Sequence, residues 1–428
     1  MKVIWFTNIV LPEFAREIGL VTINQGGWIP SLVDAIRKYA PQIELHICSA
    51  GPEGRQATIG GVRYYALGSE YNGIFLHRPS RCFVENATSI VKKIEPDLIH
   101  FHGSEGLFGI VPHNAYSRTK CVVSLQGILQ GYYPHYTGGI NEIEIRRYRN
   151  YANYVLTRYT VTRGSESWRC RLGERERLAL ASAENIIGRT RWDRAWAEYL
   201  APDARYFHVG EVLRPEFYCG KYARDGVRPH SIFCGGAMAY PLKGGHWLLR
   251  AVAAIKRRYP DVRLRVANAG KVMPKGTFSS WLRRNEYHRY LWRIITKNEL
   301  EENVVLLPSL TAEQVAEELR AAEVFCLPSM CENSPNSVGE AMMAGTPVVA
   351  TDVGGVSSIV ENGEEGVLVP SGDPAILANA ISDLFASPQK ARSYANNAYV
   401  KAKARYAHRH VVDQLLDAYG AIVDGAGR

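Results

Sequence analysis

Residues 325–355 read FCLPSMCENSPNSVGEAMMAGTPVVATDVGG, and this stretch decides the fold that we predict. Its first residues, Phe325 to Ser329, are typical of a buried strand that runs into a loop. Ser334 suits an N-cap and Pro335 a first helical residue, so we predict that a helix begins here. Gly345 ends that helix, and the apolar run after it starts the next strand. Strand, helix and strand in this order indicate an α/β protein with a parallel sheet.

The start of the predicted helix has the properties of a phosphate-binding site. The backbone N–H groups of Asn336, Ser337 and Val338 lie in its first turn, where amides lack helical partners and the dipole is positive. Glu332 precedes the helix, and Glu340 lies about one and a half turns inside it. Because two carboxylates would repel a phosphate, we expect them to accept hydrogen bonds from sugar or ribose hydroxyls. The alternative is an ordinary amphipathic helix with solvated glutamates.

Glu332-x7-Glu340, followed by Ala-Met-x-Ala-Gly-x-Pro-Val-Val-Ala-Thr-Asp-x-Gly-Gly, resembles the signature of the retaining glycosyltransferases of family 4. The resemblance implies the α/β GT-B fold, in which two Rossmann-like doubly wound domains face a central cleft. It also implies a front-face displacement in which the leaving diphosphate accepts the acceptor's proton. Such a reaction needs positioning and electrostatics rather than a protein nucleophile. We therefore expect no cofactor and no metal.

Composition limits the class of protein. The 428 residues, 46% of them hydrophobic, suffice for two domains with separate cores. No long apolar run follows Met1–Asn8, so we expect a first strand there and not a signal peptide. No apolar run approaches the roughly 18 to 20 residues of a membrane span, and the eight cysteines show no metal-binding spacing. We therefore expect a cytoplasmic protein with reduced thiols. The charge of +9 favours anionic partners, either a nucleotide-sugar or a phospholipid surface, whereas the absence of a nucleic-acid module argues against nucleic acid.

Two domains are predicted, joined by a linker between Arg214 and Pro229. Residues 1–217 would form the N-terminal, acceptor-binding domain and residues 225–388 the C-terminal, nucleotide-sugar-binding domain. The expected strands are Lys2–Thr7, Glu44–Ser49, Leu98–His102 and Cys121–Leu125 in the first domain, and Ser231–Gly236, Arg263–Asn268 and Val304–Pro308 in the second. The chain ends in a helical stretch, and the family resemblance implies that about residues 400–424 pack back on the first domain.

Two glycine-rich segments are candidates for contact with the donor's phosphates. Gly236 follows the first strand of the second domain, and Lys243 lies in the loop after it, where it can supply a positive charge to a diphosphate. The family usually has an arginine as well, and Ala237 or Met238 takes its place here. Gly26 and Gly27 precede a predicted helix over 29–39 and resemble the family's first-domain glycine loop, which meets the donor phosphate. A plain turn from loop to helix is the alternative for this pair.

Two polar residues are candidates for the reacting centre in the first domain. Leu98-Ile99-His100-Phe101-His102-Gly103 resembles the family's His-x-His-Gly segment, so His102 would line the cleft while His100 packs inside. Gln126 stands where many relatives have a histidine. Because an amide cannot act as a general base, Gln126 is restricted to hydrogen bonding.

The resemblance assigns these residues as follows. Lys243 and the helix amides stabilise the departing diphosphate, Glu332 and Glu340 bind the hydroxyls of the donor sugar and of ribose, and Gln126 and His102 contact the sugar or the acceptor. The acceptor would be a saccharide or a lipid-linked saccharide of a surface polysaccharide or glycolipid.

Residues 146–196 mix arginine with tyrosine and tryptophan, as in helices that bind the inner face of an anionic membrane or as on a solvated surface. Two further functions remain open. One is a sugar-nucleotide epimerase with the same two-domain scaffold, and the other is a relative that binds nucleotide-sugars without turnover.

Overall fold

The structure, a computed structural model, describes residues 1–21, 27–69, 71–72, 75–105, 119–149, 151, 154–155, 160–219, 226–269, 272 and 284–425. The chain divides into two compact units. The first unit comprises residues 1–130, 168–214 and 405–428, and the second comprises 131–167 and 215–404. Residues 131–167 therefore group with the second unit, although the sequence analysis assigned them to the first domain.

The first unit contains a mostly parallel sheet. Its strands are β1 (Lys2–Thr7), β2 (Glu44–Ser49), β3 (Gln56–Ile59), β4 (Val62–Ala66), β7 (Leu98–His102), β8 (Lys120–Ser124), β9 (Asn185–Gly188) and β10 (Arg205–His208), whereas β5 (Tyr71–Asn72) and β6 (Phe75–Pro79) pair separately. Within the described ranges the order is β10-β9-β8-β7-β1-β2-β4-β3, and β3 is antiparallel to β4. The predicted bounds of β1, β2 and β7 are confirmed, and β8 starts and ends one residue earlier than predicted.

Helices cover both faces of this sheet because its strands are apolar on both faces. Val3 and Trp5 of β1 point into one core cluster, and Ile4 and Phe6 point into the other. The helices of this unit are Pro12–Glu17, Trp28–Tyr39, Arg81–Ile94, Gly173–Leu180, Arg191–Leu200 and His408–Val423, with a π-helical turn at Trp168–Leu172 and a short helix Leu129–Tyr132 at its border. The C-terminal helix contributes Val411, Leu415 and Tyr419 to the first cluster.

The second unit contains a parallel sheet. Its strands are β11 (Ser231–Cys234), β12 (Arg263–Val266), β13 (Val304–Leu306), β14 (Val324–Leu327), β15 (Val348–Thr351) and β16 (Gly366–Val369), and their order over the described residues is β13-β12-β11-β14-β15-β16. Its helices are Glu142–Arg146, Val161–Ser167, Gly245–Ile255, Glu286–Lys297, Ala312–Ala321, Asn336–Met343, Pro374–Ala386 and Pro388–Arg405. The strands predicted at 231, 263 and 304 begin where expected and end two residues early.

Each unit is thus a Rossmann-like α/β domain, as expected, with crossover helices between parallel strands. None of the helices in the described part of the chain is both long enough and apolar enough to cross a bilayer.

Candidate functional site

A cavity of ≈ 270 Å³ lies at the carboxyl ends of β11 and β14 in the second unit. Ligands of doubly wound domains bind beyond this end of the sheet. Its lining includes the following polar groups and glycines: Gly235, Gly236, Lys243, Ser329, Glu332, Asn336 and Ser337. The structure therefore brings together five of the residues that the sequence analysis selected.

Glu332 is buried beside the cavity and is held by one of its two oxygens. Oε1 accepts a hydrogen bond from Nζ of Lys243 at 2.6 Å and another from Oγ of Ser329 at 2.7 Å. The second oxygen, Oε2, receives no hydrogen bond from any described residue. The two bonds to Oε1 fix the carboxylate, and Oε2 is then suited to accept hydrogen bonds from a ligand's hydroxyl groups.

Lys243 provides the positive charge of the cavity. Burial lowers the pKa of its ammonium, but the adjacent Glu332 carboxylate outweighs burial and holds that pKa above its usual value. The side chain is 30% exposed, so part of the ammonium still faces the cavity. Gly244 follows with φ +71°, and a Cβ there would overlap the carbonyl oxygen of Pro328. The position after Lys243 therefore requires glycine for steric reasons, since no side chain fits where the loop passes Pro328.

A second glycine pair fixes the backbone of Glu332. The N–H of Gly355 donates to the carbonyl oxygen of Glu332 at 2.9 Å. Gly354 has φ +54°, and a Cβ there would overlap the same carbonyl oxygen. The sequence analysis quoted these glycines as part of the motif but gave them no role. Their role is to let the loop after β15 pack directly against Glu332.

The helix beside the cavity runs over Asn336–Met343, and its first turn is open. Ser334 is not the N-cap as predicted, because the helix begins one residue after Pro335, whose backbone is extended (φ −72°, ψ 107°), and no side chain caps it. The backbone amides of Asn336 and Ser337 donate to none of the described residues. They are available to an anion at the positive end of the helix.

Two residues of the same helix do not line the cavity. The N–H of Val338 donates to the carbonyl oxygen of Pro335 at 3.0 Å, and its side chain is completely buried. This amide is therefore engaged within the first turn, and the expectation that Val338 binds the donor stays a prediction. Glu340 lies two residues further along the helix, is buried, and is also absent from the lining.

The two residues at the place of the expected arginine are apolar. Ala237 and Met238 are almost fully buried, at 3% and 1% exposure. Among the described residues that line the cavity, Lys243 is the one cation. No three His, Cys, Asp or Glu side chains in the described ranges lie close enough together to hold a metal ion.

Tyr132 supports the same loop from a distant part of the chain. Its hydroxyl oxygen accepts a hydrogen bond from the N–H of Asn333 at 2.9 Å, 201 residues away in sequence. Burial, followed by the charge of Glu332, raises the pKa of the phenol well above its usual value. No local pattern indicates this partner, because the contact depends on residues 131–167 packing within the second unit.

In the first unit, His102 lies at the carboxyl end of β7 and is 3% exposed. Burial, then the neighbouring His100 and Arg189, lower its pKa well below the usual value, so the ring is neutral. Neither ring nitrogen has a hydrogen-bond partner among the described residues. His100 is satisfied within the core, since its ring nitrogens bond to Tyr419 at 2.6 Å and Ser124 at 2.5 Å. This is the packed role that the sequence analysis allowed for it.

Gln126 is half-buried in the loop that follows β8, at the same edge of the sheet as His102. Gly27 lies directly before the helix Trp28–Tyr39, where a Cβ would come within 2.9 Å of the Arg214 side chain. Gly26 lies outside the described residues.

Comparison with known proteins finds a family match within the second unit. Residues 228–387 match the family described as glycosyl transferases group 1. A D-inositol 3-phosphate glycosyltransferase of Pseudarthrobacter chlorophenolicus is 32% identical over 208 residues, 48% of this chain and 46% of that protein. The enzyme of the same name from Corynebacterium urealyticum is 33% identical over 181 residues, 42% of this chain and 41% of that protein. The matched stretch thus spans less than half the length of these relatives.

Solved structures share the fold over nearly the whole chain. Sucrose-phosphate synthase of Thermosynechococcus elongatus superposes with a TM-score of 0.71 and 18% identity, covering 100% of both chains. HepE of Anabaena, solved in complex with UDP-glucose, gives a TM-score of 0.64 and 17% identity, covering 98% of this chain and 100% of that one. At these identities the likeness establishes the fold, which is that of GT-B glycosyltransferases.

Proposed function

Since residues 228–387 belong to the glycosyl transferases group 1 family and both units have the Rossmann-like fold of GT-B enzymes, we propose that the protein is a retaining glycosyltransferase. It would transfer a sugar from a nucleoside diphosphate sugar to a saccharide or lipid-linked saccharide, in the synthesis of a surface polysaccharide or glycolipid. One observation carries the proposal. Lys243, Glu332 and the open amides of Asn336 and Ser337 line a single cavity, so a cation, a carboxylate and an anion-binding helix end meet there.

These groups have complementary tasks in the proposed reaction. Lys243 and the amides of Asn336 and Ser337 stabilise the negative charge that grows on the diphosphate as its bond to the sugar breaks. Oε2 of Glu332 accepts hydrogen bonds from the donor sugar, and Glu340 is assigned to the ribose hydroxyls. The acceptor oxygen forms its bond to the anomeric carbon on the face that the diphosphate leaves. Its proton passes to a diphosphate oxygen, so no protein group is covalently modified.

The first unit is proposed to supply contacts to the acceptor and to the transferred sugar. His102 is neutral, and its two ring nitrogens lack partners among the described residues, so it can both donate to and accept from hydroxyl groups. Buried polar atoms without partners cost about 1–3 kcal/mol each, which favours a ligand or water beside this ring. Gln126 is assigned to the same task, and Gly26 and Gly27 to the donor phosphate.

We propose that the reaction needs no metal, because Lys243 and the helix dipole supply the positive charge. A cytoplasmic location at the inner face of an anionic membrane is proposed for a lipid-linked acceptor. Helix Arg191–Leu200 supports it, since the rings of Trp192 and Trp196 lie 6.1 Å apart and Tyr199 beside them is 77% exposed. Aromatic side chains next to arginines are common where helices bind lipid surfaces.

The test is substitution of Glu332. Glu332→Ala removes the carboxylate that would bind the sugar, so we expect kcat for transfer or donor hydrolysis to fall by about 10²–10³-fold. Wild type and variant would be assayed by release of UDP or GDP from UDP- and GDP-sugars. Glu364→Ala, which removes an exposed carboxylate of the same unit, serves as the control and should retain activity. Wild-type turnover by Glu332→Ala would remove Glu332 from the site.

The same assay separates the other two functions. Donor binding seen as a thermal shift, without release of nucleotide from any acceptor mixture, would indicate a binding protein. Among the described residues that line the cavity, Lys243 has no second cation beside it, which makes this the alternative to test. Conversion of one nucleotide-sugar into its epimer without release of nucleotide would indicate an epimerase.

A further inference from the structure

A second cavity of ≈ 460 Å³ lies in the second unit and shares no lining residue with the cavity at Glu332. Its walls come from three helices, Glu142–Arg146, Gly245–Ile255 and Glu286–Lys297, and from Tyr148 and Asn298, which follow the first and the last of them. The volume falls in the range of about 300–1,000 Å³ that small-molecule sites occupy. The proposed transfer reaction gives this cavity no role.

The described residues that line the cavity leave it with a net positive charge. Arg293 and Lys297 are exposed, one helical turn apart, and neither forms an ion pair with a described residue. Arg250 faces the same space and has a partial partner, since Glu144 lies 3.9 Å from its guanidinium. Three cations thus stand against one carboxylate, so the cavity attracts anions.

Aromatic groups accompany the cations. The rings of Tyr148 and Tyr290 meet edge to face at 5.3 Å, and both residues line the cavity. The hydroxyl of Tyr290 accepts a hydrogen bond from Arg250 at 2.6 Å, and the guanidinium lies over the ring of Trp247 at 4.8 Å. These contacts orient the planar fork of Arg250, which suits the two oxygens of a carboxylate.

We propose that this cavity binds an acidic oligosaccharide, that is, a chain whose sugar units carry carboxylates. Arg250, Arg293 and Lys297 would bind the carboxylates, Tyr148 would pack against a sugar ring, and Glu144 would accept hydrogen bonds from hydroxyl groups. The cavity is larger than a single inorganic anion requires, and its mixture of cations, aromatic rings and hydrogen-bond acceptors matches a polyhydroxylated anion. The inference goes beyond the proposed transfer reaction, because binding here is a property of the second unit alone.

Direct binding of a defined probe tests the inference without turnover. Hexagalacturonate is titrated into the full-length protein by calorimetry, with neutral maltohexaose as the uncharged comparison. We expect hexagalacturonate to bind and maltohexaose not to bind. The double variant Arg293→Ala/Lys297→Ala should bind hexagalacturonate about tenfold more weakly or worse, which corresponds to about 1.4 kcal/mol. Arg257→Ala/Arg392→Ala removes two exposed cations of the same unit outside the cavity and should match wild type.

Tyr148→Ala separates sugar recognition from simple charge attraction, because it retains the three cations. It should also weaken hexagalacturonate binding, and UDP should bind all variants as it binds wild type. The inference is overturned if wild type does not bind hexagalacturonate, if both double variants lose affinity equally, or if Tyr148→Ala has no effect. It is also overturned if Arg293 and Lys297 are needed only for binding vesicles of phosphatidylglycerol.

Discussion

At the scale of single residues, Glu176 joins the two loops that follow β7 and β8. Its carboxylate accepts hydrogen bonds from the hydroxyl of Ser104 and from the N–H of Leu129, both at 2.7 Å, and the residue is 1% exposed. Burial is the main cause that raises its pKa and the charge of Glu105 adds to it, while the hydrogen bonds from Ser104 and Leu129 oppose the rise, so that the pKa is about 7. The loop directly after His102 and the segment after β8 that carries Gln126 are therefore tied by a carboxyl group that titrates near neutral pH.

This pKa predicts how the stability of the protein depends on pH. The folded protein holds the proton of Glu176 more tightly than the unfolded chain, whose glutamate titrates at 4.5. The stabilisation is complete below pH 4.5 and is lost as the pH rises to about 7, by up to roughly 3 kcal/mol. In Glu176→Gln the amide replaces the protonated carboxyl, so the free energy of unfolding should fall less between pH 5 and pH 8.

Urea denaturation of both proteins at the two pH values measures the difference. Glu105, whose pKa burial also raises, leaves some pH dependence in both, so the comparison between them isolates Glu176. Glu184→Gln removes an exposed carboxylate of the same unit and should behave like wild type. Parallel pH profiles for wild type and Glu176→Gln would contradict the assignment.

The two buried glutamates differ in how far sequence could identify them. Glu332 stands in a motif whose strand, loop and helix follow one another along the chain, so its position at the carboxyl end of a parallel sheet could be predicted. Glu176 lies in the helical run GERERLAL, where four of the first five residues are charged and resemble a solvated face. Its burial depends on Ser104 and Leu129, which are distant in sequence. No local sequence pattern indicates that Glu176, rather than one of its charged neighbours, is buried.

At the scale of elements, the loop after β15 determines where Glu332 stands. In Gly354→Ala the new methyl group would overlap the carbonyl oxygen of Glu332 and would occupy a backbone with φ +54°. Gly363→Ala is the matched control, since its φ is +83° but no atom lies within 4 Å of the new Cβ. Both variants bear the cost of left-handed backbone, about 1–2 kcal/mol, and only Gly354→Ala must also displace the loop.

The expected result is a loss of donor affinity in Gly354→Ala alone. UDP-sugar titrations followed by calorimetry should show at least about tenfold weaker binding than in Gly363→Ala. Thermal unfolding of both variants checks that each remains folded. Equal affinities in the two variants would mean that the position of the Glu332 backbone does not control donor binding.

Element bounds were predictable where side-chain chemistry changes abruptly. β1, β2 and β7 are short apolar runs with polar or turn residues on both sides, so both of their ends could be located. The start of the helix after β14 was predicted one residue too early, because a serine such as Ser334 is a common N-cap residue. The chain stays extended through Pro335, as is usual around proline, and the first amides are left open. A cap would have occupied an amide that the proposed phosphate site needs.

At the scale of the whole molecule, the chain passes four times between the two units, after residues 130, 167, 214 and 404. Residues 131–167 group with the second unit, where the carbonyl oxygen of Gly138 lies 3.0 Å from Nε2 of His246 and accepts from Nε1 of Trp247 at 2.9 Å. Residues 405–428 group with the first unit. Apolar periodicity predicts which segments are helices, but not which sheet a helix packs on. For residues 131–167 that choice is made by contacts over more than 100 residues.

The return of the C-terminal helix is fixed by a buried chain of hydrogen bonds. Nε1 of Trp5 donates to the hydroxyl of Tyr419 at 2.9 Å, and that hydroxyl lies 2.6 Å from Nδ1 of His100. Since the hydroxyl has one proton and the burial of His100 lowers its pKa to about 3, Tyr419 donates to the neutral ring. The other ring nitrogen of His100 then donates to Ser124. One phenol thus links the last helix to β1, β7 and β8.

Removal of this hydroxyl should destabilise the first unit. Tyr419→Phe leaves Nε1 of Trp5 and Nδ1 of His100 buried without partners, which costs about 1–3 kcal/mol. Hydrogen exchange of the β1 and β7 amides, compared with wild type, should become faster. Tyr399→Phe is the control, because the Tyr399 hydroxyl bonds to none of the described residues and the residue is half-buried on another helix. If β1 and β7 exchange at the wild-type rate in Tyr419→Phe, packing of Val411, Leu415 and their neighbours holds the C-terminal helix without the phenol.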